Sequence, residues 1–112
     1  MMVKPQRMLI YLLLVSGVGF TGYAKADGAA VYNSTCIACH GADGKGVLPG
    51  APDLTDKSGR LSKADDMLFK NIVDGFQSPG SPMAMPPKGG NSNLSDQDIK
   101  NVIVYMRNTF SK

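Results

Sequence analysis

The five residues Cys36-Ile37-Ala38-Cys39-His40 are the most informative stretch of this 112-residue sequence. Two thiols at this spacing can each add to a vinyl group of one haem, while the adjacent imidazole binds the iron. A disulfide between the two cysteines would close too short a loop to restrain the unfolded chain. The motif therefore predicts one haem c, bound covalently through Cys36 and Cys39, with His40 as an iron ligand.

Two other interpretations of the cysteine pair explain less of the sequence. A thioredoxin-like redox pair belongs at a helix start within a strand-helix-strand unit, and the chain shows no such alternation. A structural zinc site needs four ligands, whereas the sequence contains 2 Cys and 1 His. Haem attachment remains the interpretation that uses all three side chains.

The beginning of the chain has the features of an export signal. Lys4 and Arg7 precede an apolar segment, residues 8–20, and residues 24–26 have the small-x-small pattern that signal peptidase cleaves. The apolar segment is shorter than the roughly 20 residues that span a bilayer. We predict a signal peptide over residues 1–26, cleaved after Ala26, and one domain over residues 27–112. The expected location is the periplasm, without stable membrane insertion after cleavage.

Cleavage changes the charge balance of the protein. Lys4, Arg7 and Lys25 are three of the 12 basic residues, and the signal contains none of the 9 acidic ones. The remaining domain is therefore formally neutral before a cofactor is added, and the basic pI belongs largely to the signal. Nucleic-acid binding is not expected.

Hydrophobic spacing predicts three helices joined by loops rich in Gly and Pro. The first covers about residues 28–35. The second starts with Ser62 as N-cap and ends at Gly75, and the third starts with a capping box of Ser95 and Asp98. Each of the last two helices is expected to have an apolar face: Met67, Leu68, Ile72, Val73 and Phe76 on the second, and Ile99, Val102, Ile103, Met106 and Phe110 on the third. Met67 and Met106 are therefore assigned to packing.

The loop over residues 78–90 contains two methionines, Met83 and Met85. Pro86 and Pro87 follow Met85 directly and stiffen the backbone there, because each fixes φ and removes a donor. A thioether is a good ligand for haem iron. We therefore favour Met85 as the second iron ligand, with Met83 as the alternative.

The sequence resembles the class I cytochromes c, and in particular the short single-haem bacterial group often called cytochrome c-five. The resemblance implies an all-α fold of three main helices, with Gly/Pro-rich loops wrapped around the haem. It also implies that Gly28 and Tyr32 meet Val102 and Tyr105 where the first and last helices cross. The matching motifs are Cys36-Ile37-Ala38-Cys39-His40-Gly41, Gly50-Ala51-Pro52, Met85-Pro86-Pro87-Lys88-Gly89-Gly90 and Leu94-Ser95-Asp96.

By the same resemblance, the carbonyl of Pro52 receives the Nδ1 hydrogen of His40, a bond that fixes the tautomer of a ligating imidazole. Pro49 is the weaker candidate for this role. The resemblance also implies docking through the exposed haem edge, for which the candidates are Ile37, Lys45, Ala84 and Lys88. For the two lysines, ordinary solvated surface is an equally good interpretation.

His40 and Met85 together would leave no vacant iron site for a small molecule, which favours electron transfer. We expect a monomeric one-electron carrier between periplasmic or membrane-bound redox proteins, and no enzymatic activity. Two alternatives stay open. The chain could be a haem-binding subunit of a periplasmic oxidoreductase, or a haem enzyme or sensor in which Met85 is displaceable.

Overall fold

The computed structural model describes residues 27–111, and its regular structure there is helical. The isolated antiparallel bridge between Phe76 and Met85 is the β-type pairing found in this part of the chain. The predicted all-α fold is thus confirmed, while the predicted signal peptide lies outside the described residues. The elements are α1 (Gly28–Val31), a π-helical segment (Tyr32–Cys36), α2 (Ile37–His40), a 3-10 turn (Arg60–Ser62), α3 (Asp65–Asp74), a second 3-10 turn (Pro87–Gly90) and α4 (Asp96–Phe110).

The first three elements follow one another without a break, so the chain is helical from Gly28 to His40. This is longer than the predicted segment, which ended at residue 35. Asp27 caps the start, because its carboxylate accepts a hydrogen bond from the Ala30 N–H at 2.8 Å. The stretch ends at Gly41, which has φ +85°. The motif residues therefore lie at the carboxyl end of a helix that is anchored at its beginning.

The first helical stretch packs closely on α4. A Cβ atom added to Gly28 would overlap the Asn101 carbonyl and lie 2.7 Å from the Cβ of Tyr105. The ring centroids of Tyr32 and Tyr105 are 5.4 Å apart, and Val102 is buried beside them in the same core. The expected contact between these positions of the first and last helices is confirmed.

The last helix begins as its sequence predicts. The Ser95 Oγ accepts from the Asp98 N–H, and the Asp98 carboxylate accepts from the Ser95 N–H, each at 3.0 Å. These two bonds complete a capping box. The predicted apolar face of α4 is buried in full: Ile99, Val102, Ile103, Met106 and Phe110.

The start and the apolar face of α3 differ from the prediction. The helix begins at Asp65 with Ala64 as N-cap, because the Ser62 hydroxyl instead donates to the Gly59 carbonyl at 2.6 Å and closes the preceding 3-10 turn. Leu68 and Ile72 are the buried residues of this helix. Met67 is 49% exposed, so its assignment to packing was wrong.

Arg107 of α4 fixes the segment that leads into α3. Its guanidinium donates to the carbonyls of Leu61 and Lys63 at 2.6 and 2.7 Å, and it pairs with Asp65 at 2.8 Å. Leu61 is itself buried in the core. Between residues 27 and 111, no helix is both long enough and apolar enough to cross a bilayer.

Candidate functional site

A cavity of about 420 Å³ lies at the centre of the described chain, partly open to solvent, with an almost entirely apolar wall. Its volume lies in the range of cofactor pockets. The walls come from the first helical stretch, the loop after it, α3, the loop over residues 78–90 that contains Met83 and Met85, and α4. All five predicted site residues line this one cavity: Cys36, Cys39, His40, Pro52 and Met85.

The two cysteines reach the cavity from the end of the first helical stretch. Cys36 closes the π-helical segment, a type of distortion that is frequent at functional sites, and Cys39 lies in α2. Both thiols are free and half-buried. Burial, with a smaller effect of Cys39, raises the pKa of Cys36 to about 11. This is opposite to the lowered pKa of a thioredoxin-type nucleophile, so the structure does not favour that interpretation.

Backbone bonds from the following loop hold the end of the motif. The Gly46 N–H donates to the His40 carbonyl and the Val47 N–H to the Cys39 carbonyl, each at 2.8 Å. The Tyr32 hydroxyl donates to the Gly41 carbonyl at 2.6 Å. The position of the motif is therefore set by its backbone contacts on both sides.

The imidazole of His40 is less constrained than its backbone. Burial lowers its pKa, which favours the neutral form that binds metals. The expected hydrogen bond to the Pro52 carbonyl is absent: Nδ1 is buried without a hydrogen-bond partner, although Pro52 lines the same cavity. The loop after His40 is fixed through backbone groups, and none of these bonds orients the ring. A buried nitrogen without a hydrogen-bond partner costs about 1–3 kcal/mol of stability. A hydrogen-bond partner for Nδ1 would remove this cost and leave the other ring nitrogen to bind the iron.

Met85 is held in place by a contact that the sequence did not reveal. Its N–H donates to the Phe76 carbonyl at 2.7 Å, and its carbonyl accepts from the Phe76 N–H at 3.0 Å. Gly75 permits this approach, because it has φ +81° and an added Cβ would lie 2.8 Å from the Met85 carbonyl oxygen. The glycine that ends α3 was the available signal. The Met85 backbone is thus fixed by pairing as well as by Pro86 and Pro87.

The alternative methionine has a different environment. Met83 also lines the cavity but is 47% exposed, whereas Met85 is half-buried and packs against the core. Met83 bonds locally, its carbonyl accepting from the Ser81 hydroxyl at 2.8 Å. Of the two thioethers, Met85 has the more restrained and less solvated position.

The four suggested docking residues also differ in exposure. Lys45 and Ala84 are exposed and Ile37 is half-buried. Lys88 is half-buried, and its Nζ donates to the Leu94 carbonyl at 3.0 Å. The interpretation of Lys88 as a freely solvated lysine was therefore wrong.

Arg60 lines the cavity, so that its wall contains a second cation besides Lys88. Arg60 was not among the residues predicted from the sequence. Its guanidinium carbon lies 4.5 Å from the centroid of the Phe76 ring, and it donates to the Ser78 hydroxyl. A lone Arg between loop residues carries no sequence signal for this position.

The donor set fits a haem better than a bare metal ion. Two thiols, a neutral imidazole and a thioether line one apolar cavity, and one imidazole nitrogen there lacks a partner. Between residues 27 and 111, no three side chains of His, Cys, Asp or Glu come together as ligands for an ion. The zinc interpretation has no ligand set in this part of the chain.

Comparison with known proteins gives a consistent result. Residues 24–106 match the family model described as cytochrome c oxidase, cbb3-type, subunit III. The chain is 36% identical over 97 residues to cytochrome c-555 of Chlorobaculum tepidum, covering 84% of this chain and 83% of that protein. It is 33% identical to cytochrome c-555 of Chlorobaculum thiosulfatiphilum, covering 75% and 94%. The solved structure of the c-type cytochrome KustC0563 superposes with a TM-score of 0.62 at 25% identity, covering 78% of this chain and all of the other.

Proposed function

Because the chain belongs to the class I cytochrome c family, we propose that it carries single electrons between larger redox proteins through one covalently bound haem c. The observation that carries this proposal is the convergence of Cys36, Cys39, His40 and Met85 on one apolar cavity. When bound there, the haem supplies a one-electron ferric/ferrous couple. The chain's own contribution is to attach, ligate and enclose it.

Each of the four residues has a separate task. Cys36 and Cys39 would form the thioether bonds that hold the haem at the end of the first helical stretch. His40 binds the iron through one imidazole nitrogen, and its burial favours the neutral form that this requires. Met85 supplies the second ligand from a backbone that is paired with Phe76.

Two restrained ligands favour electron transfer over catalysis. With both His40 and Met85 bound to it, the iron would offer no site for a small molecule, and the haem would supply one-electron transfer instead of catalysis. The apolar wall excludes water and so contributes to the reduction potential. The protein is accordingly a carrier without enzymatic activity of its own.

The partners are redox proteins that dock where the cavity opens to solvent. Of the four candidate contacts, Ala84 and Lys88 line the cavity, whereas exposed Lys45 and half-buried Ile37 lie outside its lining. Export by the segment over residues 1–26, with cleavage after Ala26, would place a monomeric carrier in the periplasm, where donors and acceptors on the membrane are within reach.

A second candidate function has one specific observation in its favour. The matching family model is named after an oxidase subunit, so the chain could be a haem-binding subunit of a larger oxidoreductase. The matches to the cytochrome c-555 relatives cover 83% and 94% of those proteins, whose names contain no oxidase, and this supports the free carrier. Purification from its native host distinguishes the two, because a subunit remains in a stoichiometric complex.

Expression of the full chain in a host that attaches haem to exported proteins tests the proposal. Wild-type protein is expected to retain its colour after acid-acetone extraction, to show a reversible one-electron couple and to bind carbon monoxide slowly when reduced. Cys36→Ala combined with Cys39→Ala should yield haem that extracts fully. Rapid carbon monoxide binding by the wild type would instead favour an enzyme or sensor.

A further inference from the structure

Met83 differs from the other described methionines because it combines exposure with a place on the cavity wall. Its side chain is 47% exposed and lines the cavity. Met67 is similarly exposed, at 49%, but does not line the cavity. Met85 lines the cavity but is half-buried, and Met106 is buried. Within residues 27–111, Met83 is therefore the thioether that faces both solvent and the cavity.

The mouth of the cavity is uncharged. In the described chain, the residues that both line the cavity and are exposed are Leu48, Pro49, Gly50, Met83, Ala84 and Pro86. Their side chains are apolar or, at the glycine, absent. The sulfur of Met83 is the atom of this set that oxidants readily attack, because a thioether is converted to a sulfoxide where it is accessible.

The loop holds the Met83 backbone at this mouth through local contacts. The Ser81 hydroxyl donates to the Met83 carbonyl at 2.8 Å and accepts from the Met83 N–H at 3.4 Å. The Ser81 carbonyl accepts from the Gln77 side-chain amide at 3.0 Å. A Cβ added to Gly50 would overlap the Ser81 hydroxyl and lie 3.2 Å from the Cδ of Pro82, so two loops meet here. The Met83 side chain is therefore attached to a restrained backbone at the edge of the opening.

We propose that Met83 is a modification site at which hydroperoxides form methionine sulfoxide and thereby lower the reduction potential of the haem. The inference rests on the proposed function, since the potential is that of haem in the cavity. Met85 is less accessible to the same oxidants because it is half-buried. Its sulfur would also be bound to the iron. Met83 is thus expected to react before the ligand does.

The modification transfers one oxygen atom to Met83. The sulfur attacks one oxygen of a hydroperoxide, so that an S–O bond forms while the O–O bond breaks. The proton on the transferred oxygen moves to the departing oxygen, which leaves as water from hydrogen peroxide or as an alcohol from an alkyl hydroperoxide. The sulfur loses two electrons and the peroxide gains them. Methionine sulfoxide reductase reverses the modification.

The sulfoxide makes part of the apolar cavity wall polar. Ferric haem carries one positive charge more than ferrous haem, so an apolar environment favours the ferrous state. A sulfoxide oxygen at the mouth is the negative end of a dipole and attracts water, and both effects favour the ferric state. Oxidation of Met67, which does not line the cavity, should leave the potential unchanged.

The test exposes full-length, haem-loaded wild type, Met83→Leu and Met67→Leu to increasing hydrogen peroxide. Peptide mapping by mass spectrometry locates each added oxygen, and redox titration and ferric spectra are recorded on the same samples. In the wild type and in Met67→Leu, the midpoint potential should fall in proportion to the fraction of Met83 sulfoxide. The long-wavelength sulfur-to-iron band should remain, because Met85 is intact. Met83→Leu should keep its potential at the same peroxide concentrations.

Reversal and three opposite results complete the test. Methionine sulfoxide reductase, with a dithiol as reductant, should restore the potential of the oxidised wild type. The inference is overturned if Met83→Leu loses potential as the wild type does, or if complete Met83 oxidation leaves the wild-type potential unchanged. It is also overturned if the potential falls only together with the sulfur-to-iron band, since the modified residue would then be Met85.

The outcome of protein production separates this inference from the proposed function. If Met83→Leu yields no haem-loaded protein, the wild type alone decides, through the agreement between its potential and its fraction of Met83 sulfoxide. A wild type that binds no haem covalently would contradict the proposed function. A wild type that has the reversible couple, but whose potential does not respond to Met83 oxidation, would overturn the inference alone.

Discussion

Replacing Tyr32 with phenylalanine removes the buried hydroxyl that binds to the residue at the end of the first helical stretch, Gly41. The side chain is 0% exposed, and its hydroxyl donates to the Gly41 carbonyl at 2.6 Å. That carbonyl also accepts from the Gly44 N–H at 3.2 Å, so the substitution leaves it with a partner. We expect the free energy of unfolding at neutral pH to fall by about 1 kcal/mol, the net contribution of one hydrogen bond. The corresponding fall in Tm is roughly 4–8 °C.

The same substitution changes the response to alkaline pH. Burial is the main cause that raises the pKa of Tyr32 from 10.0 to about 12. A raised folded-state pKa gives stability that is fully present below the unfolded-state pKa and is lost as pH rises through the folded-state pKa. Between pH 10 and pH 12 the wild type should therefore lose about 2 kcal/mol relative to Tyr32→Phe. The order of the two stabilities should reverse before pH 12.

Urea unfolding followed by circular dichroism, at pH 7 and at intervals from pH 9 to 12, measures both effects. Tyr105→Phe is the matched control, because it removes the hydroxyl of a half-buried ring in the same aromatic cluster and leaves Tyr32 intact. This control should show the alkaline loss of the wild type. Equal stability of Tyr32→Phe and wild type at pH 7, together with equal alkaline loss, would refute the reasoning about the buried hydroxyl.

Three further substitutions test the packing that positions the site. Gly28→Ala should lower the free energy of unfolding by about 1–3 kcal/mol, because steric overlap with α4 outweighs the gain in helix propensity. Urea titration measures this loss, and an unchanged free energy of unfolding would contradict the close approach. Gly75→Ala should weaken the ferric sulfur-to-iron absorption band by displacing Met85. Gly80→Ala is the control and should retain the band, because Gly80 has a similar φ of +83° but no atom lies within 4 Å of its added Cβ. Arg107→Leu should cost about 2 kcal/mol through its lost carbonyl bonds, measured by thermal unfolding. A loss no larger than that of Lys70→Leu, which breaks an exposed pair, would argue against it.

Local features of the sequence predicted the local structure well. The capping box of Ser95 and Asp98 involves residues three apart, so its chemistry is visible in the sequence and is confirmed. The apolar face of α4 follows the helical period in the same way. Ser62 shows the limit of this reasoning, because two competing local hydrogen bonds are available to a serine, and here the hydroxyl bonds to Gly59 instead of capping α3.

Most contacts between residues distant in the sequence could not be predicted from it. The pairing of Phe76 with Met85, and the position of Arg60 on the cavity wall, depend on how loops fold back over the cavity. The exposure of Met67 depends on which side of α3 meets α4. The family resemblance supplied the Gly28 and Tyr105 contact correctly, but the Pro52 bond that it implied is not formed.

Ligation of the haem iron by both His40 and Met85 would make the protein an electron carrier. Redox titration combined with the ferric absorption spectrum of the wild type, Met85→Ala and Met83→Ala tests this ligation most directly. The wild type and Met83→Ala should share the long-wavelength sulfur-to-iron band and the midpoint potential. Met85→Ala should lose the band and have a lower potential. Loss of the band in Met83→Ala, with Met85→Ala unchanged, would contradict the assignment of the ligand.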